Sequence, residues 1–127
     1  MLIDESLTRG LIGSFFEVYD NLGYGLLENP YVGALKVEFS ERGIRWESEV
    51  PVAVNYKGRL VGYYRTDFVI EGRVIVEVKA DAKVTDAHER QLRNYLRCSS
   101  YELGLLFVFG LKPQFRRFVH TESFKKR

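Results

Sequence analysis

Two charged residues two positions apart, Glu77 and Lys79, form the pattern in this sequence with the clearest capacity for chemistry. They lie in a run of β-branched residues that predicts a strand, so both side chains leave the same face of a sheet. The preceding predicted strand carries Asp67, and the apolar pattern of the two strands places Asp67 on the face of Glu77. This register requires an odd-length loop or a bulge between the strands, because a plain two-residue turn would put the two acids on opposite faces.

Two carboxylates and an ammonium in one pocket are suited to metal-assisted hydrolysis. Carboxylates about 4 Å apart repel by about 4 kcal/mol at an effective dielectric constant near ~20, so the pocket needs a positive charge. Lys79 is one source, and a bound Mg²⁺ or Mn²⁺ is another, since these ions prefer oxygen ligands. The natural reaction is hydrolysis of a phosphodiester. The alternative is a cross-strand ion-pair cluster without chemistry, which is the ordinary interpretation of an isolated Glu-x-Lys.

The hydrophobic periodicity predicts the element order ααβββαβ around these residues. Helices are predicted from about Glu5 to Asn21, from an Asn29 N-cap followed by Pro30 to near Gly43, and from a cap at Thr85 or Asp86 to about Cys98. Strands are predicted at about Arg45 to Tyr56, Arg59 to Ile70, Val74 to Lys79 and Gly104 to Gly110, with a further edge strand at Phe115 to Val119. With 127 residues, 46% of them hydrophobic, the chain is expected to form one domain over residues 1–127.

The third predicted helix carries polar residues beside its apolar face. His88, Gln91 and Tyr95 fall at i, i+3 and i+7, close together on the helical wheel. The arginines at positions 90, 93 and 97 lie on the far side, where a solvated surface is the ordinary interpretation and phosphate contact is the alternative. On the second strand, Arg65 is expected on the same face as Asp67, where it can bind a flanking phosphate.

The composition and the remaining motifs exclude several classes of protein. Cys98 is the single cysteine, which rules out an intramolecular disulfide and a Cys-based zinc site. The sequence has no phosphate loop of the G-x-x-x-x-G-K-[ST] type, and Gly23-x-Gly25 lacks the third glycine and preceding strand of a dinucleotide loop. No apolar stretch approaches the ~20 residues of a membrane span and no leader opens the sequence, so we expect a cytoplasmic protein with no membrane association.

A longer pattern makes the comparison with a known family specific. The segment Gly25-Leu-Leu-Glu28-Asn-Pro-Tyr31 resembles the pattern that names the GxxExxY proteins, a branch of the PD-(D/E)XK nuclease superfamily. The resemblance covers nearly the whole chain in the order of that family, through Ala34, Glu38-Phe39, Gly43-Ile44, Tyr64-Arg65-Thr66-Asp67, Val76-Glu77-Val78-Lys79-Ala80 and the stretch from His88 to Leu96. GxxExxY alone is a weak string, but all these elements at compatible spacing are hard to obtain by chance.

The resemblance implies an α/β fold of the restriction-endonuclease-like type. Its αβββαβ core would have a mixed sheet flanked by helices, with one extra N-terminal helix. The resemblance also implies that Asp67 and Glu77 are metal ligands, that the backbone carbonyl of Val78 is a further ligand, and that Lys79 is the catalytic lysine. Glu28 resembles the acid that reaches the metal directly or through water. Its other interpretation is a helix-start acid that complements the helix dipole.

Further positions of the resemblance concern contact with nucleic acid. Gln91 and Tyr95 resemble the Q-x-x-x-Y signature of RecB-type nucleases, in which such residues orient the lysine or contact DNA. His88 and Arg65 complete the set of expected nucleic-acid-binding residues. Thr66 stands where the superfamily's name has proline, and the acid that follows it is in place.

The sequence therefore predicts an endo- or exodeoxyribonuclease that depends on Mg²⁺ or Mn²⁺, with nucleic acid, expected to be DNA, as its partner. The first alternative is a catalytically inactive nuclease fold that binds nucleic acid or a protein partner. The second is a structural domain whose charged cluster is an ion-pair network. A homodimer is expected, because the chain has no second domain to grip the other side of the DNA.

Overall fold

The computed structural model describes residues 5–120, and the outer parts of the expected domain, residues 1–4 and 121–127, lie outside the described residues. The helices are α1 (Glu5–Leu22), α2 (Glu28–Glu41) and α3 (Asp86–Cys98). The strands are β1 (Trp46–Tyr56), β2 (Arg59–Ile70), β3 (Val74–Lys79), β4 (Leu103–Phe109) and β5 (Pro113–Val119). The predicted element order is confirmed, including the edge strand β5.

The five strands form one mixed sheet in the order β1-β2-β3-β4-β5. Every neighbouring pair is antiparallel except β3 and β4, which are parallel and joined by the crossover helix α3. A parallel pair needs such a crossover because the chain must return to the end of the sheet where the first strand began before the second strand can run in the same direction. Both central strands are buried almost throughout, which explains their continuous apolar sequences.

Helices cover the sheet on both faces and produce two apolar clusters. The larger cluster packs α1 and α2 against one face and includes Phe15, Tyr31, Phe39 and Phe107. The smaller cluster packs Leu92 and Leu96 of α3 against the opposite face, on Ile75, Leu106 and Val108. None of the helices within residues 5–120 has the length and apolar content that crossing a membrane requires.

The connection between β2 and β3 sets the register that the acids need. Ile70 pairs with Val74, so the loop has three residues, and the Arg73 N–H donates to the Ile70 carbonyl at 2.9 Å. Gly72 and Glu71 adopt left-handed φ angles of 66° and 53°. The predicted odd-length loop is confirmed. Five apolar residues at alternating positions of the two strands all belong to the larger cluster: Phe68, Ile70, Val74, Val76 and Val78.

The start of α2 differs from its prediction. Asn29 was expected to be the N-cap, but the helix begins at Glu28, and its N-cap is Leu27, whose side chain makes no capping hydrogen bond. Pro30 is tolerated because it still lies in the first turn, where a helix N–H has no partner within the helix. As a consequence, Glu28 belongs to the first turn of the helix and lies within electrostatic reach of Lys79, at the carboxyl end of β3.

Candidate active site

Asp67 and Glu77 lie opposite each other where β2 and β3 separate. The paired ladder ends at Phe68 and Val76, one residue before the two acids. Beyond that point, hydrogen bonds between backbone N–H groups and carboxylates replace the hydrogen bonds between the two backbones. The Asp67 N–H donates to Oε2 of Glu77 at 3.1 Å, and the Val78 N–H donates to Oδ2 of Asp67 at 2.7 Å. Each acid thus satisfies a backbone donor that the divergence of the strands would leave without an acceptor.

Glu28 joins this pair from the first turn of α2. Its charge interacts with those of Lys79 and Asp67. The charges of three acids, from a helix and two strands, therefore interact with the charge of Lys79. The structure brings Asp67 and Glu77 into contact through the backbone hydrogen bonds of their carboxylates, and it places Lys79 and Glu28 within electrostatic reach of them.

Tyr31 fixes the loop that precedes Glu28. Its buried hydroxyl donates to the Gly23 carbonyl at 2.6 Å and accepts from the Leu26 N–H at 3.1 Å. Its ring stacks on Phe109 of β4 with the ring centroids 4.0 Å apart. Gly25 has a φ of 114°, which favours glycine. The Gly, Glu and Tyr of the GxxExxY segment thus make the turn, provide the acid and anchor the turn to the core.

The pKa values of all three carboxyl groups are raised, and burial is the first cause in each case. Burial and the charge of Asp67 raise the pKa of Glu77 to about 8. Burial raises the pKa of Asp67, against the opposing effects of the Val78 N–H and Lys79. The pKa of Glu28 is also raised, although Lys79 opposes the shift. Lys79 lowers all three pKa values but does not offset burial, so the pocket disfavours the charged forms of the three carboxyl groups.

The donors in this pocket suit a hard divalent cation that keeps part of its water shell. Within residues 5–120, no group of three or more histidine, cysteine, aspartate or glutamate side chains is close enough to hold a metal ion. The Asp67 and Glu77 carboxylates each use one oxygen for a backbone N–H, which leaves one oxygen each for a cation. Mg²⁺ is typically held in proteins by one or two carboxylates plus water.

Two stacked tyrosines, from β2 and α3, lie within electrostatic reach of Glu77. The rings of Tyr64 and Tyr95 are nearly parallel with centroids 3.5 Å apart, and the Tyr64 hydroxyl donates to the Tyr95 carbonyl at 2.9 Å. Burial and the negative charge of Glu77 raise the pKa of both phenols. Tyr95 was expected at this site, but Tyr64 was not assigned a role. Its only signal in the sequence is its place three residues before Asp67.

The sequence matches the family model described as the PD-(D/E)XK nuclease superfamily over residues 5–118. The chain belongs to the PD-(D/E)XK nuclease superfamily. Its mixed sheet and flanking helices form the expected restriction-endonuclease-like fold. The narrower resemblance to the GxxExxY branch stays a prediction.

Two solved structures resemble this PD-(D/E)XK chain in fold. The crystal structure of SSO0001 has a TM-score of 0.57 and 18% sequence identity, with 78% of this chain and 55% of that chain covered. An alkaline exonuclease from Laribacter hongkongensis, LHK-Exo, has a TM-score of 0.52 and 9% identity, with 97% and 74% covered. This chain spans about half the length of SSO0001. No curated protein matches the sequence.

His88 of this PD-(D/E)XK chain is held at the start of α3. Its N–H donates to Oγ1 of Thr85 at 3.1 Å, and its Nδ1 accepts from the Thr85 N–H at 3.2 Å, which completes a capping box. Its Nε2 lies 2.6 Å from Oδ2 of Asp81. Because Nδ1 accepts, the ring hydrogen sits on Nε2 and is donated to Asp81. Both ring nitrogens therefore have partners within the chain. Gln91, one turn further along α3, is half-buried between His88 and Tyr95.

A groove lies beside the acid pair, between α2 and the β1–β2 hairpin. Its volume is about 550 Å³, and Arg65 and Asp67 both line it, as their expected common face requires. Arg65 is exposed, and its Nη1 donates to the Glu49 carbonyl at 3.3 Å. Lys36 of α2 also lines the groove, which gives it two cations next to Asp67.

Glu49 is a member of the site that sequence reasoning missed. It lies in β1 between Ser48 and Val50, whose partners Phe68 and Thr66 flank Asp67 in β2. Its φ of 53° is left-handed, a conformation that is uncommon for a residue with a side chain. Its negative charge contributes to the raised pKa of Asp67. No local signal in the sequence indicates a left-handed residue in the middle of a strand.

Proposed function

We propose that this chain is a nuclease that uses Mg²⁺ or Mn²⁺ to hydrolyse phosphodiester bonds in DNA. The observation that carries the proposal is the meeting of Asp67 and Glu77 beside Lys79 at the point where β2 and β3 separate. Membership of the PD-(D/E)XK nuclease superfamily supports the reaction class. The fold likeness to an alkaline exonuclease agrees with it.

In this proposal the chain holds the cation by side chains and backbone at the separation of the strands. The ligands would be the second oxygens of Asp67 and Glu77 and the carbonyl of Val78. Glu28 would act through water, because its carboxylate is not part of a cluster that holds a metal unaided. When bound, such a cation supplies charge neutralisation at the phosphate and makes a water molecule more acidic.

The remaining groups position the substrate and the attacking water. Nζ of Lys79 donates hydrogen bonds to the attacking water or to a phosphate oxygen, and its charge stabilises the negative charge that develops there. With a cation held there, the Glu77 carboxyl would release its proton to solvent. Arg65 binds a flanking phosphate, and Gln91 and Tyr95 orient the lysine or contact the nucleic acid. His88 positions the start of α3, and contact with nucleic acid would require it to leave Asp81.

A cleavage assay separates this proposal from an inactive binding module. Linear, circular and branched DNA is incubated with Mg²⁺, Mn²⁺ or EDTA, beside Glu77→Gln and Glu41→Gln variants. Glu41 is an exposed acid at the other end of α2, so its variant controls for the loss of one negative charge. We expect cleavage with a divalent cation by wild type and Glu41→Gln only. Binding without cleavage in every condition would support the module instead.

The same experiment addresses the finer parts of the proposal. Cleavage of circular DNA would identify an endonuclease, and cleavage of linear DNA alone would identify an exonuclease. An RNA of the same sequence in parallel reactions tests the preference for DNA. The homodimer and the cytoplasmic location also stay proposals, and a monomeric mass in solution would contradict the homodimer.

A further inference from the structure

The strand β2 continues beyond Asp67 with two exposed side chains on the face of that acid. Arg65 and Tyr63 follow at steps of two residues, about 6.8 Å apart along an antiparallel strand. The pairing with β1 is regular here, with Pro51 opposite Arg65 and Ala53 opposite Tyr63. The row therefore leads directly from the acid pair toward the tip of the hairpin.

Tyr63 presents an open aromatic surface at the end of this row. The residue is 64% exposed, and its cross-strand neighbour Ala53 contributes only a methyl group. Both faces of a base have the shape and polarizability to cover such a ring. The exposed ring thus has a place for a flat aromatic ligand beside it.

The positive charge of the β1–β2 hairpin favours a polyanion as that ligand. Residues 50–66 contain no aspartate or glutamate, and their charged residues are Lys57, Arg59 and Arg65. Arg65 donates one N–H to the Glu49 carbonyl, and its guanidinium has four further N–H donors. Lys57 and Arg59 lie beside Tyr56, whereas Arg65 lies on the row of Tyr63. An aromatic ring beside a cation, in a segment free of acids, is the combination with which proteins bind single strands.

We propose that Tyr63 is a stacking platform for an unpaired base, with Arg65 on the adjacent phosphate, so that the substrate carries a single-stranded segment at the acid pair. In a duplex each base is stacked between its neighbours and paired, so its faces are not open to a side chain. This inference rests on the proposed function, since it names the strandedness of the same substrate.

The test is the binding of fluorescein-labelled DNA in EDTA, measured by fluorescence anisotropy with a 12-nucleotide single strand and a blunt duplex of the same sequence. The variants are Tyr63→Ala and Tyr63→Phe. Tyr56→Ala is the matched control. Tyr56 is 63% exposed in the same hairpin, but it is three residues after Ala53 in β1 and therefore faces the other way.

We expect Tyr63→Ala to weaken binding of the single strand roughly 5- to 100-fold, the range that corresponds to loss of one stacked base. Binding of the blunt duplex should change by less than about twofold, and Tyr63→Phe and Tyr56→Ala should bind as wild type does. Because Tyr63 is exposed, we expect Tyr63→Ala to melt at the temperature of wild type. An equal melting temperature would exclude a folding defect.

Unchanged binding of the single strand by Tyr63→Ala would overturn the platform, as would an equal loss with the duplex or with Tyr56→Ala. A cleavage assay of wild type on both DNAs is run in parallel. Cleavage by wild type together with normal binding by Tyr63→Ala would reject the platform and leave the nuclease in place. The absence of cleavage by wild type would reject the nuclease, whatever the variants bind.

Discussion

Oδ2 of Asp67 accepts from the Val78 N–H at 2.7 Å, while the Asp67 N–H donates to Oε2 of Glu77 at 3.1 Å. Each carboxylate is thus hydrogen-bonded to the backbone of the strand that carries the other acid, at the point where the backbone ladder ends. One oxygen of each carboxylate is structural, and the other is left for chemistry. Two roles in one side chain allow stability and activity to be separated by substitution.

Asp67→Asn should stabilise the metal-free protein while it abolishes activity. The amide keeps an oxygen for the Val78 N–H and removes a negative charge beside Glu77. Stabilisation of about 1 kcal/mol would raise the melting temperature by roughly 3–6 °C. Asp67→Ala should instead destabilise the fold by about 1–3 kcal/mol, because the Val78 N–H loses its acceptor. Thermal unfolding in EDTA measures both, and equal melting temperatures for the two variants would contradict the structural role of Oδ2.

The stability of the metal-free protein should fall as pH rises from about 5 to 8. The folded state keeps the proton of Glu77 to a pKa of about 8, whereas the unfolded chain loses it near the ordinary value of 4.5. The folded state therefore binds this proton more tightly, and the free energy of unfolding decreases through that window. Asp67 and Glu28 shift in the same direction. Urea unfolding at several pH values in EDTA should show a flatter profile for Glu77→Gln, and a profile as steep as that of wild type would count against the buried carboxyl.

Addition of Mg²⁺ should stabilise the fold by an amount that grows with pH between 6 and 8. A ligand that binds only the folded state stabilises it by mass action. Protons compete for the same carboxylate oxygens, so the apparent affinity rises as they leave. Melting temperatures in a Mg²⁺ titration measure the effect, and Glu77→Gln should lose it while Glu41→Gln retains it. A shift of equal size in all three proteins would indicate binding elsewhere.

Tyr31→Phe should destabilise the protein by about 1–3 kcal/mol, because the Gly23 carbonyl and the Leu26 N–H both lose the hydroxyl as partner. Tyr24→Phe is the matched control. Tyr24 lies in the same loop but is 49% exposed, and its variant should unfold as wild type does. Chemical denaturation of the three proteins makes the comparison. Wild-type stability of Tyr31→Phe would show that the tyrosine of the motif does not anchor the loop.

Much of the fold follows from local pattern. The predicted bounds of β2 and β3 agree with the structure, because both strands alternate or are continuously apolar between clear turn residues. The odd-length loop could be predicted because a two-residue turn would have put Asp67 and Glu77 on opposite faces and divided the alternating apolar residues of the two strands between those faces. The start of α2 could not, because Asn29-Pro30 is typical of an N-cap and first helical residue, whereas the helix begins one residue earlier, after a Leu27 N-cap that makes no side-chain hydrogen bond.

At the site too, contacts between neighbouring strands could be predicted, and contacts that depend on tertiary packing could not. The acids and the lysine come from strands that are neighbours in sequence, so their meeting follows from alternation. The Tyr64–Tyr95 stack and the left-handed Glu49 depend on how α3 and β1 pack, which no local signal specifies. The capping role of His88 did have a signal, since Thr85-x-x-His88 has the spacing of a capping box, although Glu or Gln is the usual last residue.

The most direct test of the account is the rate of DNA cleavage by Lys79→Ala with saturating Mg²⁺. Lys79 contributes charge at the reacting phosphate and holds no cation, so the variant should keep the Mg²⁺-induced rise in melting temperature. Its cleavage rate should fall by roughly 100-fold or more, as expected for loss of a group that stabilises the transition state. Lys112→Ala, which removes a lysine in the β4–β5 turn, should cleave at the wild-type rate. Equal rates for Lys79→Ala and wild type would contradict the assignment of this pocket as the catalytic site.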